Sequence, residues 1–430
     1  MFRTSKRRLY EAALCAGPRV RDGTPDGRMF QVAHFEGKGH GLVAACPLKP
    51  GQVVFQEPCL AAVPCSRGIC FNCFQSDPAS MRRCSRCKYA FYCSQACQRT
   101  HWSVHSRICA SAIDSSGPKE TSILAAILGG NIDFLTNNLG KRSLADRTKF
   151  GELAAQATSL AGKPISAQDI DRIATNAITV CTDSLDHVAV GVFSNASLLN
   201  HSCHPNCVIV FDLDNGVSGK VVCIRPIGQG EELTISYLDL ADVHWNISQR
   251  LKSEYFFDCG CNVADRFRCG NLKCSGILRA SDSQCPCCSL QSPDFDRRKA
   301  MIIKLMSSKS DRSVLDLKTL VPNDSPAVFR LLDNLGLQAL DNQDFQQAFV
   351  YFREALTVAG VLYPKFSSNL GIYSLKVAKL ASLLSSFDLA EKFYRISIEI
   401  LGICYGPENR LLQTTSDELR LMLTDKERLE

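Results

Sequence analysis

The stretch NHSCHPNC, Asn200 to Cys207, packs two histidines, two asparagines and two cysteines into eight residues directly after the apolar SNASLL. Three chemistries would suit it: a metal site, a Cys/His pair for nucleophilic attack, or a tight turn that presents backbone to a ligand. Elsewhere the same residue types gather in pairs. Residues 70–109 hold Cys70-x2-Cys73, Cys84-x2-Cys87, Cys93-x3-Cys97 and His105-x3-Cys109, eight ligands that fill two tetrahedral zinc sites with nothing left over. A segment this short, with so few aliphatic residues, builds no core by burial alone. Metal must supply much of its folding free energy, about 10–16 kcal/mol apparent in zinc-finger peptides. His101 would break the spacing to Cys109 if it replaced His105, and it is expected to face solvent. A second cluster is less regular: Cys259-x-Cys261, then Cys269, Cys274, Cys285, Cys287 and Cys288. With Cys203 it makes eight, which permits two four-cysteine sites without assigning the pairing.

These residues must be positioned by a chain of 430 residues, more than one hydrophobic core usually organises, so two or three domains are expected. With 45% hydrophobic and 21% charged residues the composition is that of an ordinary soluble protein rather than a disordered or membrane one. The longest apolar run, SILAAILGG at 122–130, falls well short of the roughly 20 residues of a spanning helix, so no membrane partner is expected. The N-terminal MFRTSKRRLYEAALCAGPRVR is basic without a long apolar stretch, which argues against a secretory signal. It leaves a transit peptide, a weak nuclear-import cluster at KRR, or a solvated basic tail over 1–27, the last being the plainest. Twenty-three cysteines without a secretory signal read as metal ligands rather than a disulfide framework. The net charge of +6 is uneven: 66–109 carry seven Lys/Arg against the single Asp77, whereas 311–430 carry thirteen against sixteen Asp/Glu.

Short β-strands are expected at QVAHF, GLVAAC and VVFQE within 28–64, separated by Gly/Pro turns. From about 118 to 180 the texture turns helical, in TSILAAILGG, RTKFGELAAQATSLA and SAQDIDRIATNAITV, the last entered through Ser166 as N-cap. Strands return from 187 to 237, in CVIVFDLD, GKVVCIRPI and EELTISYLD. The C-terminal part is helical with a repeat of 42 residues, matching Phe345/Phe387, Ala348/Ala390, Arg353/Arg395, Gly360/Gly402 and Tyr363/Tyr405. Stacked helical hairpins resembling tetratricopeptide repeats explain that period.

The finger motifs CFNC, RCSRC, FYCSQACQ and HWSVHSRIC resemble a MYND finger, and NHSCHPNC, GEELTISYLD and YFFDCGC in that order resemble a SET domain. A finger inserted into a SET fold with a helical C-terminal region resembles the SMYD (SET and MYND domain) family of protein-lysine methyltransferases, over nearly the whole chain from about residue 28. The resemblance implies an α+β architecture: a β-rich SET fold interrupted by a zinc-binding MYND finger and a helical insert, then a cysteine-rich post-SET region and an α-helical, TPR-like C-terminal domain. On this chain the parts would be a flexible basic tail (1–27), the first SET part (28–65), the finger (66–110), the helical insert (111–180), the second SET part (181–240), the post-SET region (241–290) and the helical domain (300–430).

The resemblance also implies S-adenosyl-L-methionine as cofactor and zinc, two ions in the finger and at least one in the post-SET region. By the family's interleaved pattern Cys70, Cys73, Cys93 and Cys97 would hold one ion, and Cys84, Cys87, His105 and Cys109 the other. Cys203 would join Cys259 and Cys261. Where the family carries a further cysteine this chain has Ala264, so Cys269 is expected as the replacement, leaving Cys274, Cys285, Cys287 and Cys288 for another site. Cofactor contacts are implied at Lys38 and His40 in GKGHG, at Asn176, at Asn200 and His201, and at Phe257 stacked on adenine. For His201 the expectation is a backbone contact, with the ring serving structure. Tyr237 and Tyr255 match the catalytic tyrosines, and Ile178 stands where an aromatic often lines the lysine channel.

The expected function is methyl transfer from S-adenosylmethionine to a lysine side chain in a histone or another protein, by a monomer in cytoplasm and nucleus. The finger is a candidate for proline-rich peptides, or for DNA through its basic excess; scattered basic residues and the lack of a base-reading helix favour peptide. The rival from another class is a catalytically inactive zinc-containing adaptor binding peptides through the finger and helical repeats. A third reading, a nucleic-acid-binding zinc protein, would show steep salt dependence.

Overall fold

The structure is a computed structural model that describes residues 28–429 apart from 77–78, 110–119, 129–131, 215, 262–264, 272 and 293. The expected basic tail over 1–27 lies outside the described residues, as does Ala264.

The β-rich part is assembled from both ends of a long insertion. Strands β1 (Phe30–Phe35) and β2 (Gly39–Ala44) form an antiparallel hairpin, and β3 (Val53–Pro58) and β4 (Ala61–Pro64) follow. Among its described residues the cysteine-rich segment contributes the two-residue strands β5 (Arg82–Arg83) and β6 (Phe91–Tyr92) and helix α1 (Gln95–His105). Three helices come next, α2 (Glu120–Leu128), α3 (Leu144–Ala161) and α4 (Ala167–Asn176). The chain then returns to the sheets with β7 (Ile178–Cys181), β8 (His187–Val192), β9 (Asn200–His201), β10 (Cys207–Asp212), β11 (Ser218–Cys223) and β12 (Glu232–Ile235). The three main sheets run β1-β2-β12-β9, β10-β11-β3 and β4-β8-β7, so every one of them joins chain from before the insertion to chain after it.

Local chemistry accounts for the boundaries. Ser166 caps α4 in a reciprocal box with Asp169, and Ser143 caps α3, which ends on the left-handed Gly162. The run ITV, expected to continue α4, is instead strand β7: Ala177 is extended, and the β-branched Ile178, Thr179 and Val180 fit a pleated, half-buried surface better than a helix. A seven-residue helix α5 (His244–Arg250) widens into a π-helical turn at Leu251–Tyr255. The small hairpin β13 (Arg266–Arg268) and β14 (Ile277–Arg279) follows.

The remainder is all helix: α6 (Phe295–Met306), α7 (Arg312–Leu320), α8 (Pro326–Asp341), α9 (Phe345–Leu362), α10 (Ser368–Leu383), α11 (Phe387–Tyr405) and α12 (Arg410–Leu429). The period of 42 falls on α9 and α11: both open on the repeated Phe, and both Ala348 and Ala390 are fully buried. Tyr363 and Tyr405 close the two helices, and each is tied to the β-rich part. The Tyr363 hydroxyl donates to Asp239 at 2.6 Å, and that of Tyr405 to the Asp183 carbonyl at 2.8 Å. Among the described residues no helix is long and apolar enough to cross a membrane.

One carboxylate binds the two halves of the β-rich part. Glu57, on β3 and 4% exposed, accepts the backbone N–H of Asn195 at 3.0 Å, that of Ala196 at 2.7 Å and the Asn195 side-chain amide at 2.9 Å. Burial raises its pKa above the usual carboxylate range, and the three donors oppose that rise. Replacing it by Glu57→Ala strands buried donors, so a stability loss on the order of 3 kcal/mol is expected in a denaturant titration. Glu57→Gln keeps one acceptor oxygen and is expected to lose less; equal stability of all three proteins would remove this account.

Candidate active site

The stretch NHSCHPNC is spliced into the first sheet at its edge. β9 runs parallel to β12, with Asn200 opposite Thr234 and His201 opposite Ile235, and Ser202 N–H donates to the Ile235 carbonyl at 2.8 Å. Asn206, 1% exposed, locks the register: its Oδ1 accepts Thr234 N–H at 2.8 Å, while its amide donates to the Glu232 carbonyl at 2.8 Å and to Glu231 at 3.1 Å. The chain leaving β12 then crosses back over β9. Tyr237 N–H donates to His201 Nδ1 at 3.0 Å, and the Tyr237 hydroxyl donates to the Leu199 carbonyl at 2.7 Å.

Beside this crossing lies a cavity of about 410 Å³. Lys38, His40, Asn176, Asn200 and Phe257 line it, together with Tyr237 and Tyr255. So does Ile178, and so do Tyr363 and Tyr405 from the helical part, which thereby forms one wall. His201 does not line it; its ring is buried and turned into the structure.

Several local devices hold these side chains. In GKGHG the last glycine makes room, because a Cβ on Gly41 would lie 2.6 Å from the Asn200 amide nitrogen. Glu232 bridges the two parts of the cofactor-facing set, accepting the Asn200 amide at 2.8 Å and pairing with Lys38 at 2.8 Å. Both amide hydrogens of Asn176 are taken by the carbonyls of Thr136 and Arg172, at 2.9 and 2.7 Å, so only its carbonyl oxygen is free to meet a ligand. In YFFDCGC, Tyr255 and Phe257 face the cavity while Phe256, at φ 63°, turns the other way and lies against the Arg142 guanidinium, 5.0 Å from its ring centre.

The aromatic rings of the cavity pack on one another. Tyr237 and Tyr255 have centroids 5.0 Å apart in a tilted pair, and Phe257 lies 6.5 Å from Tyr237, nearly perpendicular. Burial raises both phenol pKa values above the ordinary tyrosine value, so each hydroxyl is a neutral donor or acceptor at physiological pH. Nothing here activates a thiol: Cys203 turns to Cys259 at 3.5 Å, and Cys207, which does line the cavity, is fully buried, which pushes its thiol pKa up and keeps it protonated.

The cysteines converge as metal sites do. Four ligands at about 2.3 Å from zinc lie on a tetrahedron whose edge is about 3.8 Å, far beyond the roughly 2.0 Å of a disulfide. In the finger one set is Cys70, Cys73, Cys93 and Cys97, with sulfurs 3.4–3.6 Å apart between Cys93 and its neighbours Cys97 and Cys73. The other is Cys84, Cys87, His105 and Cys109, with Cys84 3.8 Å from Cys109 and Cys87 3.6 Å from His105 Nε2. These donor sets suit zinc. His101, expected to face solvent, is instead drawn inward: its Nδ1 lies 3.0 Å from the Tyr92 hydroxyl, its ring stacks on His105, and burial pushes its pKa down to about 4. The apolar body of the ring fills space that the metal ligands alone leave open.

At the crossing, Cys203 meets Cys259 and Cys261, at 3.5 and 3.3 Å. Cys269, expected as the fourth member, is not there; it lies in a separate group with Cys274, Cys285 and Cys288. Two imidazoles flank Cys203 and Cys261 instead. His201 Nδ1 already accepts from Tyr237, so the neutral ring carries its proton on Nε2 and donates toward Cys203 Sγ, 3.4 Å away. It supports a ligand rather than being one. His244 presents Nε2 3.6 Å from Cys261, and burial lowers its pKa, which keeps the ring neutral and fit for a metal. His244, rather than Cys269, is the side chain grouped with Cys203 and Cys261, while Cys259 is grouped with Cys203 and His201. A histidine fifteen residues ahead of Cys259 is the signal that the sequence offers for it. Asn206 and Glu232 are further site residues that the motifs do not single out, although one lies inside NHSCHPNC and the other inside GEELTISYLD.

Residues 39–238 match the family model of the SET domain. Histone-lysine N-methyltransferase SMYD3 of Homo sapiens is 28% identical, the alignment covering 87% of this chain and 93% of the relative. N-lysine methyltransferase SMYD2-B of Xenopus laevis is 25% identical over 93% of this chain and 100% of its own length. Histone-lysine N-methyltransferase ASHR1 of Arabidopsis thaliana is 24% identical, covering 91% and 95%. With the SET domain matched, relatives aligned over nearly their full lengths and the cysteine-rich finger set between two parts of the β core, the chain is similar to the SMYD methyltransferases over most of its length.

Proposed function

We propose that this protein is an S-adenosylmethionine-dependent protein-lysine N-methyltransferase acting on the side-chain amine of lysine in histone or other proteins. The observation that carries the reading is the buried Tyr237 hydroxyl, fixed to the Leu199 carbonyl one residue before Asn200 and packed against Tyr255 in the same cavity. The curated relatives are methyltransferases by name, and two of the three are histone-lysine enzymes.

When bound, S-adenosylmethionine supplies an electrophilic methyl group on a positively charged sulfur. In this reading Asn200, His40 and Lys38 hold its polar groups, the Asn176 side-chain oxygen contributes a contact, and Phe257 offers its ring to the adenine. The amine must be neutral to attack. A free lysine has a pKa of about 10.4, so neutrality near pH 7.4 costs about 4 kcal/mol. An apolar channel walled by Tyr237, Tyr255, Ile178 and Tyr363 lowers that cost by desolvating the ammonium form. The phenol of Tyr237 orients the amine and stabilises charge as it shifts, and alignment of the reacting atoms supplies much of the rest. The helical wall limits which peptides enter. An adaptor would not require these tyrosines and the Asn200 amide to share one cavity.

Calorimetry is expected to show saturable S-adenosylmethionine binding that Asn200→Ala weakens at least tenfold, about 1.4 kcal/mol. A folded, zinc-loaded protein that binds none would be the adaptor instead. Tyr237→Phe is expected to lower kcat by about 100-fold with cofactor affinity nearly unchanged. The pH profile separates the roles. Since burial raises both tyrosines, neither loses its proton in the assay range, and the rate should climb with pH as the substrate lysine deprotonates. That climb should persist in Tyr237→Phe; its disappearance would make Tyr237 the titrating group and overturn its assigned role.

A further inference from the structure

Beyond the finger and the crossing, the hairpin β13–β14 and the turn after it bring together Cys269, Cys274, Cys285 and Cys288. We propose that these four thiolates hold a structural zinc ion of their own, separate from the site at Cys203, and that this ion secures the hairpin on which the C-terminal helices rest.

The spacing fits. Cys269 and Cys288 sulfurs are 3.5 Å apart, and Cys274 and Cys285 sulfurs 3.7 Å, close to the tetrahedral edge of about 3.8 Å. Gly276 leaves the room, since a Cβ there would lie 2.4 Å from Cys285 Sγ and 3.2 Å from Cys274 Sγ. Backbone N–H groups two residues on point at three of the sulfurs, Asn271 at Cys269, Gly276 at Cys274 and Cys287 at Cys285, at 3.3–3.5 Å. Such donors favour thiolate over thiol.

The backbone supplies an independent argument. In the finger, Cys70-x2-Cys73 and Cys84-x2-Cys87 form one and the same turn. The residue after the second cysteine is left-handed, Phe74 and Lys88 both at φ 56°, and its N–H donates to the first cysteine's carbonyl at 3.0 and 2.9 Å. Cys285-x2-Cys288 repeats it: Ser289 is at φ 58°, and its N–H donates to the Cys285 carbonyl at 2.9 Å. The first cysteine's own N–H is also returned to the chain just beyond, to Gln75, Ala90 and Leu290 in the three turns, at 2.8–2.9 Å. Three non-glycine residues in that sparsely occupied region, each at the same step of a Cys-x2-Cys, mark a shared cause. The arrangement also excludes Cys287, which is exposed and belongs to no metal-ready group among the described residues.

Burial serves only one side of this hairpin, where Phe267 enters the main core. On the cysteine side, Leu278 is the one fully buried residue apart from the cysteines, with Phe295 packed on it. Yet much is fastened to it. Phe267 stacks on Trp245 and meets Phe295 at 5.1 Å, Arg268 donates to the Val321 carbonyl at 3.1 Å, and Arg266 pairs with Asp324 at 2.8 Å. The hairpin thus seats α6 and the α7–α8 junction. Four thiolates close the coordination shell, leaving no position for a water or substrate, so the role is structural.

The test uses the full chain loaded with 113Cd. The two four-cysteine groups, this one and the set around Cys70, should give two resonances in the four-thiolate range, while the sets containing His105 and His244 resonate further upfield. Cys274→Ser should remove one four-thiolate resonance and one zinc per chain, and Cys287→Ser should remove neither. If Cys274→Ser fails to fold, the wild-type spectrum still decides: a single four-thiolate resonance overturns the proposal. So does a Cys274→Ser protein that keeps its full zinc complement.

Discussion

The cavity depends on one crossing of chain over chain. Tyr237 gives its N–H to His201 and its O–H to the Leu199 carbonyl, and both acceptors belong to the segment that carries Asn200. Buried hydrogen bonds of this kind contribute modestly when made and cost much more when one partner is lost. Their importance lies in how few residues they involve. Asn200 faces the cavity, His201 receives Tyr237, and Cys203 meets Cys259 and Cys261 just ahead of the segment's return to the sheet. A shift at any of them moves the others, because they follow one another along a few residues of chain. The asparagine at 206 and the carboxylate of Glu232 make that coupling rigid, one by fixing register and one by holding the Asn200 amide.

Polar and metal-ready groups fix the positions of the parts of this protein that touch the site. Glu57 collects three donors across the core. Arg142 reaches the fully buried Asp171 and lies over both Phe150 and Phe256, which ties the helical insert to the segment between the two cavity aromatics. The helical part attaches in the same manner, through the hydroxyls of Tyr363 and Tyr405 and through Lys220, whose ammonium donates to the Tyr405 carbonyl at 2.7 Å. Directional contacts fix geometry where a greasy interface would tolerate sliding. A cavity required to align two reactants benefits from that difference.

Much of this is legible in the sequence, for reasons that differ by region. The strands around Val32, Val54 and Val221 announce themselves as short, largely apolar stretches bounded by turn residues, and α9 and α11 by a repeat that places Ala348 and Ala390 at equivalent buried positions. The finger ligands are legible because metal geometry constrains spacing within a turn. Ligands drawn from distant segments obey no such spacing, which is why Cys269 looks eligible for a place beside Cys203 and Cys261 where His244, on a helix of its own, is found instead. Asn206 and Glu232 are hidden differently: an amide and a carboxylate in a polar motif look like solvent-facing residues until the strand pairing shows what they face. His101 misleads by spacing alone, since a ring can be excluded as a ligand and still be needed as packing.

Glu57 and Asn195 touch although 138 residues separate them, and the sheet pairing of Ala61 with Val192 spans nearly as much chain. Closing a slack loop of that length costs roughly 4 kcal/mol in chain entropy and slows the search for native contacts. The finger and the helices α2 to α4 lie within that loop and share a core that includes Phe71, Leu124 in α2 and Ile170 in α4, joined by Val63 of β4 and Val192 of β8. Any part of the insertion that folds by itself, as metal-held fingers do, takes slack out of the loop and brings β4 toward β8. Zinc bound far from the cavity thus lowers the entropic cost of assembling the sheets that form it.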